Sequence, residues 1–323
     1  MQRRHFISLA PAALAAPWAR AQGSWPSQQI RWVVPYPAGG GTDALARSIS
    51  EAMRPALNNQ VLVVDNRPGA STNIAGELVA TAKPDGYTVM SADNAILAYN
   101  EYLFSKLPFS PAKSFTYIGA FGRFPLALVV TPKFPAHTLK EFLAYVHANP
   151  GKVNYASPGN GSPHHLAMEL FKNRTGTFIT HIPYRGAAPA MQDVMSGQVE
   201  CMFLDLPAGL PTIESGKVRA LAIGSARRVP QLPNLPTLAE SGVKDSEVYA
   251  FQGLLGPAGL PQDVVAKLNG AINSALKAPE VIKRMQDYGM EAQPGTPQQF
   301  FDMARAEARR WGPVIKAAGV KLD

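Results

Sequence analysis

Short apolar, β-branched runs alternate with amphipathic stretches along most of this chain, and that alternation constrains its fold more than any other feature. The predicted strands lie at 30–35, 61–65, 88–91, 117–120, 126–131, 154–157, 180–183, 201–205, 218–223 and 253–257. The predicted helices lie at 42–57, 74–82, 138–149, 164–176, 187–196, 206–215, 261–277 and 298–316. Strands that alternate with helices predict parallel sheets covered by helices, which is an α/β architecture.

Composition narrows the class of protein further. At 323 residues, 46% hydrophobic and 17% charged, the chain is long enough for about two domains. Beyond the N-terminus its apolar runs are shorter than the roughly 18 residues of a membrane-spanning helix. No dense Lys or Arg run is interleaved with aromatic residues, so we predict no nucleic-acid partner. The lone Cys201 excludes an intramolecular disulfide, and its apolar surroundings in "GQVECMFLDLP" predict a buried thiol.

The N-terminal sequence is typical of a targeting segment. "MQRRHFISLAPAALAAPWARAQGSW" has a basic start, a modestly apolar stretch and a small-x-small cleavage site before Gln22, so residues 1–21 are predicted to be a signal peptide. The pair Arg3-Arg4 also resembles a twin-arginine signal, and the choice of export route stays open. Removing residues 1–21 takes three arginines and no acid, and the net charge falls from +8 to +5. A mild cationic surplus suits a small anionic ligand.

The stretch "VVPYPAGGGTDALARSIS" joins a predicted buried strand to a predicted helix through a glycine turn. Gly39 to Gly41 permit backbone conformations that a Cβ would forbid, and Thr42 or Asp43 can cap the helix. The free N–H groups at the helix N-terminus and the positive end of the helix dipole would then form a binding site for a carboxylate or phosphate. The alternative is a plain tight connection. No Lys follows the glycines as in a P-loop, and the spacing is not that of a dinucleotide-binding turn.

A second stretch, "NYASPGNGSPHHLAMELFK", repeats this chemistry. A strand ends at Ser157, glycines form the turn, and Ser162 can cap the following helix. Two such anion-binding turns, each following a separate strand, could bind opposite ends of one elongated anion. His165 and Glu169 lie one helical turn apart, but no third ligand stands out, so we predict a polar pair and not a metal site.

Two charged residues stand at further strand ends. Arg185 precedes a glycine between a strand and a helix, and Asp205 ends another strand. Arg185 could pair with a ligand carboxylate, and Asp205 could accept from an amino or hydroxyl group. For each residue a structural salt bridge or cap is the alternative. Several polar loops at strand ends are more informative together, because open α/β sheets bind ligands at the carboxyl ends of their strands.

An ordered set of motifs resembles a known family. The segments are "VVPYPAGGGTDALAR", "VVDNRPGASTNIAGELVATAKPDGYTV", "LPFSPAKSFTYIG", "YASPGNGSPHHLAMELFK", "HIPYRGAAPAMQDVMSGQVECMFLDLPAGLPTIESGKVRALAI" and "LPTLAESGV". Together they resemble the Bug receptors, the periplasmic substrate-binding components of tripartite tricarboxylate transport systems. The resemblance extends over residues 30–323, nearly the whole chain after the predicted signal peptide.

The resemblance implies a two-domain type II periplasmic-binding-protein fold with the ligand in a cleft between the domains. Domain 1 is expected to comprise residues 22–123 and 250–323, and domain 2 residues 124–249. The hinge is expected where the chain crosses between them, near 122–126 and 246–253. A ligand that contacts both domains would favour the closed form.

The same resemblance implies where the ligand binds. Family receptors use the first glycine loop from domain 1, and they hold a ligand carboxylate at the second loop and helix start from domain 2. Arg185 falls where the family often has Lys or Arg, and Asp205 falls at its acidic strand end. "SADNAILAYN" lacks the family's Asn-Pro pair, which leaves a contact from Asn94 open. The predicted ligand-binding residues are Tyr36, Gly40, Gly41, Thr42, Asp43, Ser157, Asn160, Gly161, Ser162, His165, Arg185 and Asp205.

The predicted function is therefore binding without turnover. We expect a periplasmic, monomeric receptor, without cofactor or metal, that passes a small carboxylate to membrane permease subunits. Dicarboxylates, tricarboxylates, acidic amino acids and aromatic carboxylates remain open as ligands. One alternative is an extracytoplasmic sensor that docks a signalling partner. The other is a hydrolase built on Ser162 and His165, which we disfavour because "GNGSPH" is not a nucleophile elbow and no acid orients the pair.

Overall fold

The structure is a computed structural model that describes residues 25–39 and 41–323. The predicted signal peptide, residues 1–21, and the predicted ligand-binding Gly40 lie outside the described residues. Among the residues that are described, no helix combines the length and the apolar character needed to cross a membrane.

Strands and helices alternate through most of the described chain. The strands are β1 (Ile30–Val34), β2 (Leu62–Asn66), β3 (Thr88–Asp93), β4 (Phe115–Val130), β5 (Asn154–Ser157), β6 (Thr180–Pro183), β7 (Cys201–Asp205), β8 (Arg219–Ile223), β9 (Tyr249–Pro257) and β10 (Glu291–Ala292). The helices are α1 (Gly41–Met53), α2 (Asn73–Ala80), α3 (Asn100–Leu103), α4 (Leu139–Ala148), α5 (Pro163–Thr175), α6 (Ala187–Ser196), α7 (Leu206–Glu214), α8 (Gln262–Ala275), α9 (Pro279–Asp287) and α10 (Pro297–Ala318).

The strands follow the order β2-β1-β3-β9-β4-β7-β5-β6, and β8 and β10 each pair with β4. We call the part built on β1, β2 and β3 the first lobe, and the part built on β5, β6 and β7 the second lobe. Within each of these sets the strands are parallel. The predicted parallel strands are therefore present in both lobes, but β9 and β4, which lie between the two sets, run antiparallel to their neighbours, and the sequence did not indicate this. Antiparallel neighbours need no crossover helix.

β4 is one continuous strand where the sequence predicted two. Its residues up to Pro125 pair with β9, and from Leu126 onward they pair with β7. The register against β9 shifts twice, between Tyr117 and Gly119 and between Ala120 and Gly122. Glycine and proline therefore mark irregularities and an exchange of partner, and they do not end the strand.

Three helical segments differ from the sequence prediction. α1 ends at Met53 and a 3₁₀ turn, Arg54–Leu57, follows it, because Pro55 cannot donate the helical hydrogen bond. α9 was not predicted. The segment from Ala95 to Leu103 was not predicted either, and it forms a π-helical turn that continues into α3.

Hydrophobic clusters fill both lobes. Trp32 and Phe121 pack in the first lobe, and Phe171 and Phe203 pack in the second. Trp311, in the second half of α10, shares the cluster of Phe171, so the C-terminal helix also packs against the second lobe. Cys201 is fully buried on β7, which confirms the predicted buried thiol. The assignment of residues 22–123 and 250–323 to one domain and 124–249 to another stays a prediction.

Gly253 on β9 faces the ring of Phe300 so closely that a Cβ would overlap it, whereas a Cβ on Gly270 in α8 would meet no atom within 4 Å. We expect Gly253→Ala to lower the free energy of unfolding by about 1–3 kcal/mol through overpacking. Gly270→Ala is the matched control and should raise it by up to about 1 kcal/mol through helix propensity. Urea unfolding followed by circular dichroism measures both, and equal effects would contradict the packing described here.

Candidate functional site

Polar loops from both lobes meet at the carboxyl ends of the parallel strands. α1 begins at Gly41 after β1, and α7 begins at Leu206 after β7. A Cβ added to Gly41 would lie 3.7 Å from the Cβ of Pro207, so the two helix starts face each other across the lobes. Helix starts expose unpaired N–H groups and the positive end of the helix dipole. The region is therefore arranged to receive negative charge.

The carboxylate of Asp43 holds the first glycine loop. It accepts from the N–H of Gly39 at 3.0 Å, from Arg47 at 2.9 and 3.0 Å, and from the amide of Asn66 at 3.0 Å. Burial by itself would raise the pKa of Asp43, but these hydrogen bonds outweigh it and lower the pKa to about 2. Asp43 is therefore an anion whose oxygens bind its own loop and neighbouring side chains.

Tyr36 and Thr42, on the same loop, are half-buried. The Tyr36 hydroxyl donates to the buried carboxylate of Asp93, which also accepts from the N–H of Ala95 at 3.0 Å. Burial raises the pKa of both Tyr36 and Asp93. The Thr42 hydroxyl lies 3.4 Å from the amide nitrogen of Gln252 on β9. The hydrogen bond to Asp93 therefore fixes the Tyr36 side chain beside the loop.

The second loop is held from within by His165. The N–H of Gly161 donates to Nδ1 of His165 at 3.0 Å, and the Ser162 hydroxyl caps α5 by accepting from the N–H of His165 at 3.2 Å. Both side chains are thus bonded to backbone N–H groups of the loop and helix start, and within the described residues no hydrogen bond joins them to each other. Asn160 is exposed at the tip of the loop.

Three rings stack behind this loop. The ring centroids of His165 and His181 are 4.0 Å apart, and those of His181 and Tyr155 are 4.7 Å apart. His181 Nε2 lies 2.7 Å from the hydroxyl of the buried Ser157. The side chain of Ser157 is therefore bonded inward, and the stack connects both ends of the loop to the core.

Both stacked imidazoles favour the neutral form. Burial, followed by the positive charge of Lys172, lowers the pKa of His165 to about 4. Burial, followed by the neighbouring His165, lowers the pKa of His181 to about 3. Glu169 accepts from Tyr155 at 2.6 Å and from Lys172 at 2.7 Å, and it lies 3.9 Å from His165. The described residues hold no group of three or more metal-ligating side chains.

Asp205 and Arg185 lie at the remaining strand ends of the second lobe. Asp205 caps α7 by accepting from the N–H of Ala208 at 2.9 Å, and its other oxygen lies 2.9 Å from Nε2 of His164. Burial would raise the pKa of Asp205, but the His164 hydrogen bond and charge outweigh it and lower that pKa. Arg185 is exposed, and no hydrogen bond or ion pair holds its guanidinium within the described part of the chain.

Sequence reasoning missed several residues that shape this site. The Asp43–Arg47 pair has an i, i+4 spacing that could have been found from the sequence. Asn66, His164 and His181 gave no local signal, because each meets its partner only after the chain has folded.

Comparison with known proteins identifies the family. The family model described as "TctC: Tripartite tricarboxylate transporter family receptor" matches residues 45–320. The protein BugT of Bordetella pertussis is 35% identical over 317 residues, covering 98% of this chain and 96% of BugT. This chain belongs to the tripartite tricarboxylate transporter receptor family. Receptors of this family are periplasmic solute-binding proteins and not enzymes.

Solved structures support the same family assignment. Rpa4515 of R. palustris, solved with adipate, is 36% identical, with a TM-score of 0.85 and coverage of 92% of this chain and 99% of that chain. MatC of Rhodopseudomonas palustris, solved with bound malate, is 32% identical, with a TM-score of 0.82 and coverage of 90% of this chain and 100% of that chain. The α/β periplasmic-binding fold predicted from the sequence is confirmed.

The imidazole stack predicts an acid-sensitive receptor. A histidine of the unfolded chain titrates near pH 6.5, whereas His165 and His181 titrate near 4 and 3 when folded. Between about pH 6.5 and 4 the unfolded state thus binds more protons, and the free energy of unfolding falls as the pH falls. His181→Gln should reduce this fall, as measured by urea unfolding at several pH values. At pH 7.5, which is above the pKa of these histidines in both states, the difference in the free energy of unfolding between the variant and the wild type reports the packing that the substitution removes. An unchanged pH dependence would contradict the assigned pKa of His181.

Proposed function

We propose that this receptor captures a small carboxylate between the first-lobe loop 36–43 and the second-lobe loops 157–162, 184–187 and 205–208, and delivers it to membrane permease subunits. The observation that carries the proposal is that the starts of α1 and α7, one from each lobe, lie next to each other. A Cβ added to Gly41 would lie 3.7 Å from the Cβ of Pro207. An anion bound beside this contact would lie at the start of one helix from each lobe.

The charge of the surrounding side chains supports an anionic ligand. The exposed Arg185 has no partner in the described structure, so its guanidinium is available to a carboxylate. α5 begins beside the same loops, and Ser162 satisfies only one of the orphan N–H groups at its first turn. Rpa4515 was solved with adipate and MatC with malate, and both ligands are dicarboxylates. Their similarity to this receptor supports the same ligand class here.

Binding would be coupled to closure of the lobes about β4 and β9. β4 exchanges partners at Pro125, inside the predicted hinge 122–126. Asn94, at the end of β3, donates to the carbonyl of Tyr249 at 3.1 Å and accepts from the N–H of Phe251 at 2.7 Å. Asn94 is therefore assigned to the second predicted hinge, 246–253, and not to the ligand. A bridging ligand would favour the closed arrangement through its contacts with both lobes.

Residues 1–21 are proposed to direct export and to be removed between Ala21 and Gln22. The protein recovered from a periplasmic extract should therefore have the intact mass of residues 22–323. A recovered mass that includes residues 1–21 would contradict cleavage at this site. Replacing both Arg3 and Arg4 with Lys tests the twin-arginine route, because that route requires the arginine pair and the general secretory route accepts lysine.

Ligand binding tests the proposed site directly. We expect the protein of residues 22–323 to show a concentration-dependent rise in melting temperature with a carboxylate from a panel of mono-, di-, tri- and aromatic carboxylates and acidic amino acids. Arg185→Ala should weaken binding of that ligand by about 1.5–3 kcal/mol, the worth of a charged hydrogen bond. Arg174→Ala, at the far end of α5, is the matched control and should leave the affinity unchanged.

Titration calorimetry of both variants measures these affinities. Equal affinities for Arg185→Ala and the wild type would remove Arg185 from the ligand-binding site. A ligand-free receptor that is folded and silent across the whole panel would overturn the proposal that the ligand is a carboxylate.

A further inference from the structure

We infer that the Asn160-Gly161 dipeptide of the second-lobe loop modifies itself, so that Asn160 is converted to aspartate or isoaspartate with His165 as the base. The new carboxylate weakens the receptor's affinity for its ligand as the protein ages. Only this effect on affinity rests on the proposed function. The conversion itself depends on the chain alone.

The sequence contains two Asn-Gly dipeptides, Asn160-Gly161 and Asn269-Gly270. An asparagine before glycine can lose its side-chain amide, because the backbone nitrogen of the glycine can attack the side-chain carbonyl carbon. Glycine has no Cβ to obstruct that approach. The ring that closes has five members, so the attack requires only rotation about ψ and χ1 of the asparagine. The two dipeptides have the same chemistry, and their surroundings in the fold can therefore be compared directly.

The side chain of Asn269 is held in place on α8. Its Nδ2 donates to the carbonyl of Ile118 at 2.8 Å and to that of Gly295 at 2.9 Å. Its Oδ1 accepts from the amide of Asn273 at 3.1 Å. The helix fixes ψ of Asn269 as well. Attack at this dipeptide would have to break the helix and three side-chain hydrogen bonds.

The side chain of Asn160 is free by comparison. It is exposed at the tip of the loop, and no hydrogen bond holds it within the described part of the chain. The glycines on either side have φ values of +145° for Gly159 and +73° for Gly161, so the backbone here is neither helix nor strand. Asn160 can therefore turn its carbonyl carbon toward the nitrogen of Gly161 without loss of hydrogen bonds from its side chain.

His165 supplies a base at the attacking nitrogen. Attack requires Gly161 to lose its amide proton, and that N–H already donates to Nδ1 of His165 at 3.0 Å. This is the distance at which a base can take up a proton. The N–H bond lies in the plane of the peptide group, whereas a carbon is attacked from above or below that plane, so the hydrogen bond does not obstruct the reaction. Burial and the charge of Lys172 lower the pKa of His165 to about 4, which keeps Nδ1 unprotonated near neutral pH.

The charged and titratable groups around His165 make its protonated form short-lived. His181 stacks on the ring at 4.0 Å, and Tyr155 stacks on His181 at 4.7 Å. Nε2 of His165 lies 3.9 Å from Glu169, but the same Glu169 oxygen accepts from Lys172 at 2.7 Å. The low pKa shows that burial and Lys172 outweigh the carboxylate. The imidazolium therefore returns its proton readily to a leaving group.

The conversion balances with water as the one co-reactant. The Gly161 proton passes to Nδ1 of His165 while the nitrogen forms a bond to Cγ of Asn160. The bond from Cγ to Nδ2 breaks, and Nδ2 leaves as ammonia with the proton that His165 returns. Water then opens the cyclic imide, supplying the hydroxyl of the new acid and a proton for the Gly161 nitrogen. Opening at Cγ gives aspartate, and opening at the main-chain carbonyl gives isoaspartate.

Both products alter the loop that is proposed to bind the ligand. Each adds a negative charge to residues 157–162, and like charges repel a ligand carboxylate. Isoaspartate also inserts a methylene into the backbone next to Gly161, where a Cβ would already lie 2.7 Å from Leu103 and 2.9 Å from Leu322. There is little space for the longer backbone, so this product also displaces the loop.

Mass spectrometry of aged protein tests the conversion. The protein of residues 22–323 is incubated at pH 7.5, below its melting temperature, and peptide mapping follows each asparagine from the first time point. We expect Asn160 to convert at least about tenfold faster than Asn269, because only its side chain is free to reach the attacking nitrogen. Equal rates at the two dipeptides, or faster conversion of Asn269, would overturn the inference.

The variant His165→Asn tests the role of the base. Its side-chain oxygen can still accept from Gly161 but cannot take up the proton, so conversion of Asn160 should slow by at least about tenfold. Asn269 in the same protein is the internal control and should keep its rate. A loop that is merely loosened would convert faster, so slower conversion reports the base. Conversion at the wild-type rate or faster in a folded variant would overturn the role of His165.

Calorimetry with succinate, malate, glutarate and adipate measures the effect on affinity. Asn160→Asp reproduces one product and should weaken binding of any of these ligands at least about fivefold. Asn160→Gln is the matched control, since its longer side chain cannot close the five-membered ring. It should keep its affinity through the incubation, whereas the wild type should lose affinity in proportion to its conversion.

The outcomes separate this inference from the proposed function. Unchanged affinity in converted wild-type protein would overturn the effect on affinity and leave the carboxylate receptor in place. No binding of these dicarboxylates, nor of the other carboxylates of the panel, would overturn the proposed function and the effect on affinity with it. The mass spectrometry decides the conversion of Asn160 in either case.

Discussion

The antiparallel pairing of β4 with β9 is the constraint on which the rest of the structure depends. The two strands lie side by side from Phe115 to Pro125 of β4, and they separate the parallel strands of the first lobe from those of the second. Because the parallel sets flank this pair, the loops that leave their carboxyl ends lie on facing lobes. The backbone hydrogen bonds of Asn94 to β9 attach the end of β3 to the same pair.

The polar side chains of these loops form most of their hydrogen bonds with other groups of the protein. Asp43 holds the first glycine loop, and His165 with His181 holds the second. Such internal bonding fixes the loop conformations, so that backbone N–H groups at helix starts are positioned before a ligand arrives. Preorganised donors lower the conformational cost of binding.

Much of the fold was predictable from local patterns, and the exceptions have physical causes. The periodicity of β1 and α5 predicted their positions closely. The sequence predicted two strands, 117–120 and 126–131, where β4 is continuous, and Pro125 lies where that strand changes partners. The antiparallel direction of β9 has no local signature, because strand direction depends on where the preceding chain has been placed.

The sequence by itself determined the α/β class, the glycine turns at strand ends and the family motifs, since these depend on residues close together in the chain. Only the tertiary structure decided which polar side chains are free. Asp43 meets Asn66, His164 meets Asp205, and Asn94 meets Phe251 across separations of 23, 41 and 157 residues. Whether a carboxylate is available to a ligand depends on such partners, and folding alone brings them within hydrogen-bond distance.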